Sequence, residues 1–438
     1  MKTPPVHLGS TPFHAPAGPV GWAHVTHAGQ PWLRVTNVDA MPPFFMSVVS
    51  DSDPWLFVGS NGAFVGGRVQ PDSALFPYLT VDRILERPDS MGARTALLVR
   101  RGAAWALWEP WQPSGRAYAL TRTLYKHAHG TAVVFEETNH DLGLRLRSEL
   151  TTCEDYGLLR LSQLAVLGDR PVEVRLLDGW HQLQPPGLNT RLMAQLSYLA
   201  AAYMRHERVP GRPLGLYTLN ARLSDLAEPA ESLRAAAGWV VGLDDATLLL
   251  SDRQIQAFRR GEGVASETEI RGAAGACYAV TQRRLQPGEP LRWIHGADTE
   301  LDHAAVVRLR AELADPIAFA ERVRAAAHAN HRRLLGRIAA ADGLQQTADA
   351  QASVHHFANV LFNCMRGGTL AAGYGFPRAD LQAFLASRSR AVAARHAAGL
   401  AALPDPCTLP ALHAFAAAQG DPALARLANE YLPLTFSR

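Results

Sequence analysis

DPIAFAERVRAAAHANHRRLLGRIAAADGL (residues 315–344) is the stretch at which the 438-residue chain changes its sequence pattern. Asp315 is a favourable N-cap residue, and Pro316 suits the first position of a helix. Apolar side chains then recur at helical spacing and form one stripe, made of Phe319, Val323, Ala327, Leu334 and Ile338. The stretch predicts a long amphipathic helix.

Before this helix, from residue 20 to about 296, the sequence reads as short strands separated by turn residues. Leucines alternate with glycine and arginine over residues 142–147, and Val172, Val174 and Leu176 alternate with Glu173 and Arg175. All nine tryptophans also fall in this part, which suits broad sheet faces that pack on each other. The pattern predicts a large antiparallel β-sandwich. Residues 188–204 fit either a helix or a strand, and this choice stays open.

After Asp315 the sequence predicts only helices. A second helix over 353–368 is apolar on most of its circumference, so we expect it to be buried on several sides. Further helices are predicted from 377 to about 403, after Thr408, and after the cap formed by Asp421 and Pro422. The predicted organisation is therefore a β-sandwich over 1–296, a helical linker over 297–345 and a helical domain over 346–438.

Composition excludes several classes of function. A formal net charge of +3 over this length gives no basic surface for nucleic acid, and no run approaches the roughly 18 apolar residues of a membrane span. The amino terminus lacks the apolar core of a secretory signal, so we expect a soluble, cytoplasmic protein. No CxxC pair occurs among the four cysteines, so we predict no metal site, no disulfide framework and no cofactor.

The glycine-rich stretch SNGAFVGGRVQPDSALFPYLTVDRI (residues 60–84) contains the first candidate site residue, Arg68. Gly66 and Gly67 precede it and permit close approach of another backbone or a ligand. In one interpretation the stretch is a bulged hairpin in which Arg68 pairs with Asp72 or Asp82. In the other, the planar guanidinium is presented to a sugar or phosphate oxygen.

Three tryptophans lie within AWALWEPWQP (residues 104–113), and tryptophan faces stack well on sugar rings. We therefore take Trp108 and Trp111 as candidate substrate contacts. Strand alternation would place Trp105 and Trp111 on one face and Trp108 on the other, so core packing is the alternative for most of these rings.

Paired acids and histidines give no catalytic assignment. Neighbouring residues in a strand point to opposite faces and such pairs in turns are usually solvated, which applies to Glu136–Glu137, Glu154–Asp155 and Asp244–Asp245. The pairs His127 with His129 and His355 with His356 lack further ligands at metal-site spacing, so we expect satisfied core histidines.

Four segments together resemble the cellobiose-phosphorylase-like proteins, which are relatives of the inverting disaccharide phosphorylases of glycoside hydrolase family 94. The resemblance covers the whole chain and is carried by WLFVGSNGAFVGGRVQPDSALFPYLTVD (55–82), VRLLDGWHQLQPPGLNT (174–190), FANVLFNCMRGG (357–368) and ANEYLPLTFSR (428–438). It implies a galactose-mutarotase-like β-sandwich, then a helical linker, then an (α/α)6 barrel of six helical hairpins that carries the chemistry.

The resemblance also implies that the barrel is incomplete in this chain. Twelve helices need roughly 300 residues, and about 120 follow Asp315. The general-acid aspartate and the phosphate-binding residues of that family would then lie beyond residue 438, so the catalytic residues stay unknown. We expect the chain to be the amino-terminal part of a phosphorylase that acts on β-linked gluco-oligosaccharides and is inactive alone. Its expected partners are an oligosaccharide, inorganic phosphate, and either a second copy in a homodimer or a chain that completes the barrel.

Two other functions are compatible with a sandwich. The first is a non-catalytic carbohydrate-binding or assembly module with contacts from Arg68, Trp108 and Trp111. The second is an aldose mutarotase, which needs a histidine and a glutamate around the sugar ring, and the sequence assigns no such pair.

Overall fold

The computed structural model describes residues 6–16, 18–87, 92–112, 116–221, 232–340, 343–365, 368–370, 375–431 and 433–436. Contacts within the chain divide it into two compact units, Met1–Asn330 and His331–Arg438. The sequence had predicted a first boundary at residue 296, but strand Leu291–Leu301 runs across that position. The strand belongs to the first unit, as do the helices that follow it up to Asn330.

The first unit is built on a large antiparallel sheet of eleven strands, as the alternating sequence pattern predicts. In Leu144–Cys153, for example, the leucines at the start of the strand are buried and the arginines between them are not. In spatial order the strands are Glu269–Arg271, Met204–Arg208, Leu214–Leu219, Ala235–Val241, Leu291–Leu301, Gly157–Val166, Leu144–Cys153, Ala132–Asn139, Leu120–His127, Gln30–Thr36 and Gly21–His27.

A smaller antiparallel sheet faces the large one and completes a sandwich. Its five strands are, in spatial order, Thr247–Leu249, Gly275–Leu285, Val172–Leu183, Gly92–Arg101 and Ala104–Trp108. One core contains buried side chains from both sheets, among them Leu146 and Leu158 from the large sheet and Val174, Leu176 and Trp180 from the small one. The predicted β-sandwich is therefore present.

The glycine-rich stretch forms part of a third sheet, made of Phe45–Val48, Pro54–Gly59 and Phe64–Arg68. Gly66 and Gly67 are required because the backbone of residues 73–75 lies directly against them. A Cβ atom on Gly67 would lie 2.3 Å from the carbonyl oxygen of Ser73, and Leu75 donates its backbone N–H to the carbonyl oxygen of Gly66. Phe64–Arg68 pairs antiparallel with Pro54–Gly59, so the hairpin interpretation of this stretch is confirmed, and Arg68 lies at a strand end.

Helices cover parts of the sandwich. They are Val81–Ile84, Thr190–Tyr203, Ile255–Arg259, His303–Glu312 and Pro316–Ala340, with short 3-10 turns at Val38–Ala40 and Pro71–Ser73. The segment 188–204, which the sequence left open, is mostly helix. Asn189 caps this helix by accepting from the backbone N–H of Leu192. A short strand pair, His7–Leu8 with Thr11–Pro12, lies near the amino terminus.

The long helix predicted at the change of pattern is confirmed. It runs over Pro316–Ala340, and Asp315 caps it by accepting from the backbone N–H of Ala318 at 3.0 Å. Within the first unit, Phe319 and Val323 are fully buried and pack in a cluster with Trp239 from the large sheet. This helix therefore belongs in part to the core of the first unit.

The second unit is largely helical, with helices Ala350–Met365, Arg378–Arg388, Arg390–Arg395, Ala397–Ala401, Leu409–Gln419 and Pro422–Glu430. The single helix predicted over 377–403 is divided into three. The prediction of helices alone is also wrong, because Gly375–Phe376 pairs with Cys407–Thr408 and Gly368–Leu370 pairs with Leu434–Phe436. Residues 376–431 have a core of their own, which includes Leu381, Leu412 and Tyr431.

None of the described helices combines the length and the apolar character that crossing a membrane requires.

Candidate functional site

Arg68 lies at the end of strand Phe64–Arg68, where three other segments meet. Its Nε donates to Oδ1 of Asp298 at 2.6 Å and its Nη2 donates to Oδ2 at 2.9 Å, which is the bidentate geometry typical of arginine and carboxylate. Nη1 donates to Oδ1 of Asp53 at 2.5 Å, and Nη2 also donates to the backbone carbonyl of Glu154. The guanidinium fork is therefore occupied by protein acceptors.

The partners of Arg68 differ from those that the sequence suggested. Asp72 instead accepts from the backbone N–H and the hydroxyl of Thr190, and the side chain of Asp82 lies outside the described residues. The actual partner, Asp298, is 230 positions away in sequence, in strand Leu291–Leu301. Local spacing could not reveal a pair that forms between distant strands.

Burial and pairing act in opposite directions on the charge of Arg68. Burial opposes the charged guanidinium, but the hydrogen bonds and charge attraction of Asp298 and Asp53 outweigh it and raise the pKa of Arg68 above its usual range. Arg68 is thus a permanent cation that holds the carboxylates around it in fixed positions.

Arg68 lines a cleft of about 470 Å³ between the large sheet and helix His303–Glu312, a volume within the usual range of ligand sites. The cleft is rich in carboxylates and contains one partly exposed aromatic ring, that of Tyr156. The side chains of Glu154 and Asp155 are exposed, whereas Asp298 is buried beneath them. Its acidic and aromatic lining residues are Asp53, Glu154, Asp155, Tyr156, Trp239, Asp298, Glu300 and Glu312.

Tyr156 is held at one wall of the cleft by polar and aromatic contacts. Its hydroxyl donates to Oε2 of Glu312 at 3.0 Å, and its ring meets the ring of Phe319 edge-on at 5.2 Å. Burial and the adjacent charge of Glu312 raise the pKa of Tyr156 to about 12. The phenol therefore stays protonated at neutral pH and acts as a hydrogen-bond donor.

A cleft of this kind suits an uncharged ligand with many hydroxyl groups. Exposed carboxylates accept hydrogen bonds from hydroxyls, and an aromatic ring offers an apolar surface to the carbon face of a sugar. The sequence pattern indicated that Glu154 and Asp155 are solvated turn residues, and no pattern singled out Tyr156, Asp298 or Glu312. Only the fold brings these segments together.

Trp108 does not occupy the position expected of a sugar contact. Its ring is fully buried, and its Nε1 donates to Oε1 of Glu137 at 2.6 Å. Glu137 is itself fully buried and also accepts from the backbone N–H of Trp111 and from Nε of Arg122. The core alternative holds for Trp108.

Trp111 is half-buried and lies beside a small cavity. Its φ of 63° is unusual for a residue with a side chain, and its ring meets Phe135 edge-on at 4.8 Å. The adjacent cavity, which Arg160 and Ser148 also line, has a volume of about 60 Å³ and holds no more than a few water molecules. Because this cavity is too small for a sugar, Trp111 could contact a sugar only through the part of its ring that is exposed to solvent.

A second polar cluster lies in the segment VRLLDGWHQLQPPGLNT. Nδ1 of His181 is 2.8 Å from the hydroxyl of Tyr278 and 3.1 Å from Oδ1 of Asp252, and Tyr278 donates to the same oxygen. Burial opposes the charge of Asp252, but the hydrogen bonds from His181 and Tyr278 outweigh it and lower the pKa of Asp252. The adjacent Gln182 has a φ of 55° at an irregularity in the strand pairing, so the cluster secures a strained bend.

One family model matches part of the chain. Residues 371–433 match "Glycoside hydrolase family 149 insertion domain 1", and this range contains most of the compact helical core of the second unit. The match covers the carboxyl-terminal part of the chain and none of the sandwich. No curated protein matches the chain.

Solved structures resemble the chain only weakly. A bacterial glucoamylase complexed with acarbose aligns with a TM-score of 0.38 at 8% identity and covers 83% of this chain. The heparan sulfate lyase HepC from Pedobacter heparinus aligns over 59% at 7% identity, with a TM-score of 0.28. A putative aldose 1-epimerase from Klebsiella pneumoniae subsp. pneumoniae MGH 78578 aligns over 68% of this chain and 91% of its own, at 9% identity with a TM-score of 0.30.

The chain spans 41% of the glucoamylase chain and 35% of the lyase chain. At these TM-scores the likeness carries no argument about the fold or the chemistry of this protein.

Proposed function

We propose that this chain is part of a carbohydrate-processing enzyme of the glycoside phosphorylase type that acts on β-linked gluco-oligosaccharides. The observation that carries the proposal is the match of residues 371–433 to an insertion domain of a glycoside hydrolase family. The segments that resemble cellobiose-phosphorylase-like proteins support it, as does the two-sheet sandwich that the resemblance implies.

In such a reaction a carboxylic acid protonates the glycosidic oxygen, and phosphate attacks the anomeric carbon from the opposite face. The glycosidic bond breaks, a sugar 1-phosphate forms with inverted configuration, and the remaining sugar leaves with the proton. Neither the acid nor the phosphate-binding residues of the resemblance correspond to a side chain that the sequence assigns. We therefore assign no catalytic residue here.

Within this enzyme we assign glycan binding to the cleft beside Arg68. Asp53, Glu154 and Asp155 present carboxylates at its opening, where they accept hydrogen bonds from sugar hydroxyls. The ring of Tyr156 supplies the apolar surface. Arg68 acts as a positioning residue, because all of its contacts are to protein acceptors.

The test is titration of the chain with cellotetraose by calorimetry, first for the wild type and then for the Glu154→Gln/Asp155→Asn double variant. We expect at least a fivefold loss of affinity in the double variant. The matched control is Asp244→Asn/Asp245→Asn, an acidic pair in a different turn that lines no part of this cleft. Equal affinities of wild type and double variant would place glycan binding elsewhere, and absence of binding to any β-linked glucan would refute the assignment.

A non-catalytic carbohydrate-binding module is the second candidate, and the carboxylate-rich cleft favours it because binding needs no general acid. Incubation with cellobiose and inorganic phosphate separates the two. Binding without release of sugar phosphate, even when a barrel-containing partner chain is supplied, favours the module. Release by this chain alone would show that it holds the acid itself. Trp111→Ala, titrated alongside, tests whether that ring also contacts the glycan.

A further inference from the structure

Four exposed arginines line a cleft at the end of the small sheet. The proposed function does not use this cleft. The cleft has a volume of about 450 Å³ and an apolar floor that includes Val99, Leu142 and Val172. Arg100 and Arg101 end strand Gly92–Arg101. Arg170 precedes strand Val172–Leu183, and Arg284 lies near the end of strand Gly275–Leu285.

Strand register brings two of the arginines, Arg284 and Arg100, close to Glu173. Arg284 lies directly opposite Glu173, and Val174 lies opposite Val99, the residue before Arg100. Directly opposed residues have Cβ atoms about 5 Å apart. Among the described residues that line the cleft, Glu173 is the one carboxylate, and it accepts from Nε2 of Gln282 at 2.7 Å. The lining thus carries four arginines and one glutamate.

The arginines differ from their neighbours in their contacts. Arg175 donates to the backbone carbonyls of Gly261 and Glu262, so its guanidinium is occupied. By contrast, across the part of the chain that the structure describes, no side-chain hydrogen bond or ion pair forms to Arg101, Arg170 or Arg284. The guanidinium of Arg100 lies over the ring of Trp105 at 5.1 Å, which orients it without consuming its donors.

We propose that this cleft binds a phosphate dianion, either as the monoester group of a sugar phosphate or as free inorganic phosphate. Guanidinium groups match phosphate oxygens with paired N–H donors, and a compact dianion relieves the mutual repulsion of the four cations. The apolar floor contacts the carbon face of a sugar that carries the phosphate. This inference goes beyond the proposed function, since it uses a different cleft and a charged ligand.

Nucleic acid is the less favoured occupant. Only four of the chain's 43 lysines and arginines line this cleft, and the chain as a whole carries a formal net charge of only +3. A nucleic-acid surface normally extends its basic residues along a face or a helix to follow a run of phosphates.

Calorimetric titration of the full chain with glucose 6-phosphate, inorganic phosphate and glucose tests the proposal. We expect glucose 6-phosphate to bind at least tenfold more tightly than glucose, and its affinity to rise between pH 5.5 and 7.5 as the phosphate loses its second proton near pH 6. Equal affinity for inorganic phosphate would identify free phosphate as the ligand and also support the site.

Two variants act in opposite directions. Arg170→Gln/Arg284→Gln should weaken glucose 6-phosphate binding at least tenfold, whereas Glu173→Gln should strengthen it about threefold because it removes a negative charge from the cleft lining. Arg34→Gln, an exposed arginine of strand Gln30–Thr36 that lines no part of this cleft, is the matched control. Because the replaced arginines are exposed, the thermal unfolding midpoint should not move.

The proposal is overturned if the double arginine variant binds as the wild type does, or if the wild type does not distinguish glucose 6-phosphate from glucose. A single-stranded oligonucleotide that binds more tightly than glucose 6-phosphate and loses affinity in the same variant would assign the cleft to nucleic acid instead. Loss of cellotetraose binding in the Glu154→Gln/Asp155→Asn variant bears only on the other cleft, so the two proposals fail independently.

Discussion

Nη1 of Arg160 donates to Oδ1 of Asp178 at 2.8 Å between the two sheets of the sandwich, where both side chains are almost completely removed from solvent. Asp178 also accepts from Oγ1 of Thr95 and, at 2.6 Å, from Nε1 of Trp293. Burial opposes the charge of Asp178, but Arg160 and the hydrogen bonds outweigh it and hold its pKa well below the usual range. The sandwich therefore contains a satisfied ionic network inside its apolar core.

Replacing Arg160 alone should lower the free energy of unfolding much more than replacing both Arg160 and Asp178. We expect Arg160→Met to lower the free energy of unfolding by about 3–5 kcal/mol, because it leaves the buried Asp178 carboxylate without its cation. In Arg160→Met/Asp178→Leu the loss should be smaller than in the single variant. Urea unfolding followed by tryptophan fluorescence reports on the sandwich alone, since all nine tryptophans lie at or before Trp293.

Arg145→Met, at an exposed position of strand Leu144–Cys153, serves as the control and should change the free energy of unfolding by less than about 0.5 kcal/mol. Strictly additive losses in the double variant would contradict a coupled pair.

The glycine-rich hairpin should not accept a methyl group at Gly67. A Cβ there would approach the Ser73 carbonyl oxygen to 2.3 Å, so Gly67→Ala has to separate two backbone segments. Overpacking of this kind costs about 1–3 kcal/mol of stability. Gly168→Ala is the matched control, since no heavy atom lies within 4 Å of its added Cβ. Similar urea midpoints for the two variants would show that the hairpin is not closely packed at Gly67.

The sequence predicted those parts of the fold that depend on local pattern. Asp315 and Pro316 mark a helix start by capping chemistry alone, and the leucine alternation around Leu144 reports one buried face. The site depends instead on strand order. Arg68 and Asp298 pair because the hairpin meets strand Leu291–Leu301, and no spacing in the sequence encodes that contact.

The difference between local pattern and strand order also explains why the structure departs from the sequence-based predictions for Trp108 and for the domain boundary. Trp108 was taken as a candidate sugar contact from its residue type, but a buried carboxylate, Glu137, fixes it in the core. The boundary at 296 followed the end of the strand-like sequence pattern, whereas the structural unit extends to Asn330 because Phe319 and Val323 pack against the sheet.

Mild acid should destabilise the sandwich through its buried histidines. Burial lowers the pKa values of His129, His206 and His295 in the folded state. The unfolded chain therefore takes up protons first as the pH falls below about 6.5, and the free energy of unfolding falls with it. Each such histidine contributes a slope of up to about 1.4 kcal/mol per pH unit.

His206→Gln isolates one of these contributions. His206 is fully buried and its Nε2 donates to the carbonyl oxygen of Ala273 at 2.7 Å, a bond that the glutamine amide is able to replace. We expect the pH dependence of the urea midpoint between pH 6.5 and 5 to become shallower in this variant. His24→Gln, at an exposed position, should leave the slope as it is. An unchanged slope in His206→Gln would mean that this histidine is not a source of acid sensitivity.

Trp108 should matter for stability and not for glycan binding. Trp108→Phe removes the donor to Glu137 and keeps most of the apolar ring, so we expect a loss of about 1–3 kcal/mol. Cellotetraose affinity should stay within twofold of the wild type, because the ring is fully buried. Trp22→Phe, at an exposed ring, is the control for stability. A selective loss of affinity without loss of stability would restore Trp108 as a substrate contact.

The remaining prediction concerns self-association of the second unit. The incomplete-barrel hypothesis expects exposed apolar side chains on the helix after residue 350, and Val354 and Phe362 are each more than half exposed there, whereas Val360 is fully buried. Exposed apolar surface promotes association between copies. We expect light scattering to detect dimers or larger species of the full chain, and Val354→Ser/Phe362→Ser to shift the population toward monomer.

Two fragments of the chain show which region causes the self-association. A fragment that ends at Ala340 keeps Phe319, whose ring lies 4.7 Å from that of Trp239, and should be a soluble monomer. A fragment that ends at Asp315 removes Phe319 and Val323 from the same cluster, so it should bind an apolar dye and aggregate although its two sheets are complete. If the fragment ending at Ala340 stayed dimeric, the interface would belong to the sandwich. A monomeric full chain that binds no apolar dye would refute the incomplete barrel, because no exposed apolar helix surface would then need cover.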